Sequence, residues 1–146
     1  MVAVEQPKPV RRWKGTFGAD TAVVPMVRHS VRSELGKWGW DVNGDCADDL
    51  LLILTELVTN AIRHGSRPGD PVVVQLDESS GTCQVEVQDS RPDRLLPEVF
   101  MFRGEHGRGL ILVDGLALAV GVATTATTKK VWASVRLADD KPGATR

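Results

Sequence analysis

The stretch ending at His64 is the strongest constraint on the fold. Leu50, Leu51, Ile53, Leu54, Leu57, Val58, Ala61 and Ile62 recur with a helical period and make a broad apolar face about four turns long. Such a face must be buried against another element. Asp45 or Asp48 can cap the start of this helix, and His64-Gly65 closes it, with Gly65 suited to a left-handed cap. Two strand patterns follow. Val72–Asp77 is apolar and β-branched, and Gln84–Asp89 alternates with period two. Glu78-Ser-Ser-Gly makes the hairpin turn between them.

The flanking segments complete the pattern. Residues 1–12 read as a polar arm, with a short strand over Arg12–Phe17. Asp20 is an N-cap for a helix carrying Val23, Val27, Val31 and Leu35 at intervals of four, with Pro25 near its first turn and Gly36 at its end. From Ser90 to Arg108 no period is legible. A loop of roughly 19 residues in a compact domain points to a functional role. Leu110–Leu116 reads as an apolar helix, Leu118–Val122 and Lys130–Leu137 as closing strands, and the chain from Ala138 as a loose tail. The expected order is β-α-α-β-β-loop-α-β-β in one domain over 1–146. Helices and strands come in blocks, so the class is α+β: a two-layer sandwich with a mixed, mostly antiparallel sheet covered by helices on one face.

Charge and cysteine usage narrow the function. Lys and Arg number 18 against 19 Asp and Glu, a net charge of −1. This lacks the basic excess of a protein that tracks nucleic-acid phosphates, so no direct nucleic-acid binding is expected. Cys46 and Cys83 have no ligand-type spacing. The N-terminus has no apolar signal region, and the apolar run Leu110–Ala123 is too short to span a bilayer of about 20 residues. A soluble, cytoplasmic domain with no membrane contact is expected.

Three places can carry chemistry. Glu56 and Asn60 stand one helical turn apart, about 40° around the axis at roughly 100° per residue. Asp49 and Arg63 share their stripe, which borders the apolar face. Asn offers a neutral oxygen to Mg²⁺, and Glu offers a base or a water-orienting group. Gly107-Arg-Gly-Leu opens a helix after the long loop, where free amides and the helix dipole favour an anion. Asp89 ends a strand, where a carboxylate can accept the amino group of a base or simply start a turn. His29 and His106 build no triad, and the four tryptophans suit packing better than a stacking platform.

Taken in order, Glu-Leu-Val-Thr-Asn-Ala-Ile-Arg-His-Gly (residues 56–65), Asp89 and Gly-Arg-Gly-Leu-Ile-Leu-Val (residues 107–113) resemble the Bergerat-fold ATPases. That superfamily includes the sensor histidine kinases, gyrase and the mismatch-repair ATPases. The closest likeness is to its single-domain branch, the anti-sigma-factor serine kinases, over residues 17–137. The resemblance implies a Bergerat ATP-binding fold with ATP and Mg²⁺ as cofactors. It implies that Asn60 coordinates the metal, that Glu56 is the catalytic base, and that Asp89 binds the adenine amino group. It places Arg63 and His64 beside the triphosphate, residues 93–108 in a lid, and Gly107, Arg108, Gly109 and Leu110 at the phosphates. It also implies an anti-anti-sigma (STAS-type) protein, a sigma factor, or both as partners, and a homodimer.

The sequence departs from that pattern on the adenine side. The family's Asp-x-Gly-x-Gly reads Asp89-Ser-Arg-Pro-Asp93 here, and the Thr that backs the adenine-binding Asp aligns with Lys130. The expected function is an ATP- and Mg²⁺-dependent serine kinase of the anti-sigma type. The altered adenine box keeps open a non-catalytic module that grips a sigma or anti-anti-sigma protein. A third reading, the catalytic domain of a histidine kinase, would need its acceptor His on a separate partner. A gyrase-type enzyme would need a second transducer domain.

Overall fold

A computed structural model of the chain describes residues 10–93 and 117–136. Strand β1 runs Arg11–Gly18, and a single 3-10 turn, Thr21–Val23, leads into helix α1, Val24–Lys37. Helix α2 runs Asp45–His64, followed by β2 (Pro71–Ser79), β3 (Thr82–Asp89), β4 (Ala119–Thr124) and β5 (Lys129–Arg136). The expected helix at Leu110–Leu116, the loop beyond Asp93 and the tail lie outside the described residues. Among those described no helix is long and apolar enough to cross a membrane.

The five strands form one sheet in the order β1-β2-β3-β5-β4, and every described pairing is antiparallel. The sequence reading expects a mixed, mostly antiparallel sheet; among the described strands none is parallel. Among the described strands, the antiparallel arrangement is set first between β1 and β2. Two helices separate these neighbours, rather than the one crossover helix of a parallel pair, so β2 returns against β1. β1 also reaches back to Arg11, taking the last two residues of the supposed arm into the sheet.

Local chemistry accounts for the element ends. The Asp20 carboxylate accepts the Ala22 amide at 2.9 Å and caps the 3-10 turn, and Pro25 sits in the first turn of α1, where its missing N–H is not needed. α1 continues past Gly36 to Lys37; the positive-φ residue after it is Gly39. Neither Asp45 nor Asp48 caps α2. Gly44 holds that position without a side chain, and both carboxylates lie in the first turn, where they favour the helix dipole. The β2–β3 hairpin turns on Ser80-Gly81, with Gly81 at φ 75°.

Helix α2 buries nine side chains, from Ala47 to Ile62, against β2, β3 and β5 on one side and α1 on the other. At roughly 1.5–3 kcal/mol for each fully buried large aliphatic side chain, this face is the main source of cohesion. Val72, Val74, Leu76, Cys83, Val85, Val87, Val131, Ala133 and Val135 meet it from the sheet. The tryptophans serve packing, as expected: Trp38 and Trp40 are core, Trp13 lies against it, and Trp132 covers Gly121 on the neighbouring strand. The opposite face of the sheet is polar and carries cross-strand pairs such as Arg12–Asp77 and Glu86–Lys130.

Candidate functional site

One small pocket opens where the C-terminal half of α2 passes over the ends of β3 and β5. Leu57, Asn60 and Ala61 line it from α2, Val87 and Asp89 from β3, and Lys129 and Val131 from β5. Its walls are mostly apolar, with three polar groups.

Asn60 is oriented by its own helix. Its amide nitrogen donates to the Glu56 carbonyl at 2.8 Å, so the carboxamide oxygen is the atom available to a ligand. A single neutral oxygen suits Mg²⁺, which keeps most of its waters and takes the rest of its shell from phosphates. Among the described residues no three or more His, Cys, Asp or Glu are grouped to hold a metal by themselves. Glu56 is half-buried one turn earlier on α2, outside the pocket lining. Arg63 and His64 are exposed in the last turn of α2 and do not line the pocket. Gly107, Arg108, Gly109 and Leu110 lie outside the described residues.

Asp89 is only 2% exposed although it carries a carboxylate. One oxygen accepts the Arg91 amide at 3.0 Å; the other lies 3.4 Å from the Lys129 ammonium, itself 2% exposed. Burial pushes the Asp89 carboxyl above the usual carboxylate range, and the Arg91 amide and the Lys129 charge oppose that rise. Sequence comparison with the family's Thr points to Lys130, but the strand register does not. Asp89 pairs directly with Lys129, while Lys130 faces the other side of the sheet and meets Glu86 at 3.8 Å. A shift of one residue exchanges the two faces of a strand. The signal was present in the alternation: Val131, Ala133 and Val135 point inward, so residue 129 does too.

The loop after Asp89 takes its own shape. Arg91 and Asp93, standing where the family has glycines, grip each other through two hydrogen bonds of 3.0 and 2.9 Å. Gly65, in turn, is not a left-handed cap. Its φ is −115°, a value open to any residue, and its role is steric: a Cβ there would lie 1.9 Å from Asp89 Oδ2. Gly65→Ala should therefore destabilise the protein by about 1–3 kcal/mol, as overpacking does, and displace Asp89. Chemical denaturation checks it; an unchanged midpoint would mean that Asp89 moves aside without penalty.

Comparison with known proteins agrees with this architecture. A family model described as "Histidine kinase-like ATPase domain" matches residues 17–135. A crystal structure of the RsbU and RsbW domains of a Mycobacterium tuberculosis protein aligns with a TM-score of 0.63 at 21% identity, covering 88% of this chain and 33% of that one. This chain thus spans about a third of that structure's length. The histidine kinase domain of a blue-light activated histidine kinase from Erythrobacter litoralis aligns with a TM-score of 0.51 at 21% identity, covering 96% of this chain and 68% of that one. No curated protein matches the chain. At that identity the solved structures speak for the fold, an α+β sandwich with helices on one side of an antiparallel sheet. The family model spans most of the chain, and the chain belongs to the histidine kinase-like ATPase domain family.

Proposed function

We propose that the protein is an ATP- and Mg²⁺-dependent serine kinase that acts as an anti-sigma-type regulator of transcription in the cytoplasm. Its substrate would be a serine on an anti-anti-sigma, STAS-type partner, with a sigma factor as a second partner and a homodimer as the working form. The family is one of ATPase domains, and one fold relative contains an RsbW domain. The observation that carries the reading is the pocket itself, where Asn60 from α2 and Asp89 from β3 face one space from two sides.

In this reading Asp89 holds the base and Asn60 holds Mg²⁺ with the phosphates. Held there by Asn60, Mg²⁺ would supply charge neutralisation at the phosphates. Glu56 accepts the proton of the incoming serine hydroxyl. The serine oxygen bonds to the γ-phosphorus as the bond to the β-phosphate oxygen breaks, and ADP leaves. Arg63, His64, and the amides of Arg108, Gly109 and Leu110 would steady the phosphates.

Titration calorimetry tests the binding half. Mg²⁺-ATP should bind in the micromolar range, roughly −7 to −8 kcal/mol. Asn60→Ala should weaken it by about tenfold or more, the loss of one good contact to a charged ligand. A second reading has its own support. The Asp89–Lys129 pair already satisfies the base end of the pocket, as a module that grips partners without nucleotide would allow. Absence of heat and of any thermal shift at millimolar ATP, with partner binding intact, would decide for it.

A further inference from the structure

We propose that Lys129 is a built-in plug: its ammonium occupies the place beside Asp89, and the site opens to a ligand only when the Lys129 side chain swings out of the pocket. The inference rests on the nucleotide-binding reading above and adds the contact that regulates entry.

The pocket is shut by its own side chains. Asp89 and Lys129 are direct cross-strand partners, 3.4 Å apart, and each is 2% exposed. The space that they line with Asn60 has room for about one water molecule, far less than a nucleotide needs. Among the described residues no fully buried side chain is larger than that of Lys129. The other walls are fixed. Leu57, Ala61, Val87 and Val131 belong to the core. The Asn60 amide is tied to the Glu56 carbonyl, and Asp89 is held by the Arg91 amide and wedged against Gly65. Lys129 differs on each count. Its stem is long and flexible. It is the first residue of β5, and the turn before it, from Thr125 to Thr127, is exposed. Beyond that strand end lies an open groove lined by Asp70, Asp93 and Thr127, with Arg67 and Arg91. Thr127 lies just before Lys129 in the chain and the Arg91 amide bonds to Asp89, so the groove adjoins the pocket and offers the ammonium a polar, solvated place outside it.

The contact has two states. With Lys129 in, the Asp89 carboxylate has a cation and the pocket is closed. With Lys129 out, the buried carboxylate lacks that cation, which is costly unless an incoming N–H donor takes its place. A ligand at Asp89 and the Lys129 ammonium thus compete for one carboxylate, and the protein's own group is always present. The minor state of such an equilibrium is typically about 0.1–10% populated. Apparent affinity falls in proportion to that fraction, so the plug weakens binding by about tenfold or more. A purely structural ion pair predicts no gain: loss of the lysine would loosen the site and leave affinity the same or weaker.

Calorimetric titration of the full chain and of Lys129→Thr with Mg²⁺-ATP tests the plug. Threonine suits a strand, is shorter, and keeps a hydroxyl that donates to Asp89. Lys129→Thr should bind Mg²⁺-ATP about tenfold tighter, or more, than the unmodified chain. A second measurement uses the unmodified protein and survives if the variant fails to fold. Reductive methylation followed by mass spectrometry reports how accessible each lysine is. Lys129 is buried and Lys14 exposed, so Lys129 should react far more slowly. Saturating Mg²⁺-ATP should speed the labelling of Lys129 relative to Lys14 by about tenfold or more, because nucleotide holds the side chain out. A lysine that merely touched the nucleotide would be protected instead. Where the unmodified chain binds Mg²⁺-ATP, binding to Lys129→Thr that is no tighter, or labelling of Lys129 that nucleotide slows or leaves unchanged, overturns the plug and leaves nucleotide binding standing. Binding by Lys129→Thr where the unmodified chain shows none supports the plug and favours the module that works without nucleotide. No binding by either protein overturns both.

Discussion

Glu56→Gln is expected to lower phosphoryl transfer to a serine-bearing partner by about 10²- to 10⁴-fold, the usual loss when a general base is removed. Nucleotide affinity should hardly change. Asn60 is held by the backbone carbonyl of Glu56, not by its carboxylate, so the substitution leaves the orientation of the proposed metal ligand intact. The carboxylate acts on the incoming hydroxyl, an interaction that matters in the transition state more than in the bound ground state. Removing its charge near a triphosphate even favours slightly tighter binding. Measuring Kd and single-turnover transfer on the same protein separates the two effects. Transfer at the unmodified rate would remove Glu56 from the mechanism, and equal losses in affinity and rate would give it a binding role instead.

The second large effect concerns stability. Lys129→Met should destabilise the fold by about 3–5 kcal/mol at pH 8, because it leaves the Asp89 carboxylate buried without its cation. The loss depends on pH, and its direction follows from Asp89. Burial already raises that carboxyl, and removing the ammonium raises it further. A carboxyl raised in the folded state binds its proton more tightly there than in the unfolded chain. Its contribution is fully present below the unfolded value, about 3.9, and is lost as the pH rises through the folded value. The gap between variant and unmodified protein should therefore be small near pH 4 and full at pH 8. Replacing both residues, with Asp89→Leu and Lys129→Met, should restore stability or exceed it. Urea denaturation of the three proteins at the two pH values measures this. Equal midpoints for Lys129→Met and the unmodified chain at pH 8 would mean that the pair contributes nothing to the fold.

These expectations draw on features that were unequally legible in the sequence. Helix α2 was plain because its apolar stripe is long, continuous and bounded by Gly44 and Gly65. β3 was plain because Cys83, Val85 and Val87 alternate with polar residues. Asn60 and Asp89 stand out through local motifs: Asn60 lies within the last two turns of α2, one turn after Glu56, and Asp89 ends β3. The rest depends on distance in space. That β5 inserts between β3 and β4 is decided by tertiary pairing, which no local period encodes. Lys129 and Lys130 are chemically identical neighbours, so only the register separates the buried one from the solvated one. The Arg91–Asp93 grip was hidden because the two residues look like the loss of glycines until their side chains are seen together. Gly65 was noticed for the wrong reason: helix ends often use glycine for its backbone freedom, whereas here the missing atom is what matters.

That steric use of Gly65 has an evolutionary consequence. The end of α2 and the tip of β3 approach so closely that neither position can drift independently. Any residue larger than glycine at 65 would demand a smaller or displaced side chain at 89, and with Asp89 gone the Lys129 ammonium would lose the carboxylate 3.4 Å away. Residues 65, 89 and 129 therefore form a linked set, in which a single change lowers fitness and a viable path needs two or three together. Leu57 and Ala61 are bound by a different tie, since each packs the core and also walls the pocket. Descendants of this sequence should diversify instead on the polar face of the sheet, where a lost cross-strand charge pair removes only about 0–1 kcal/mol.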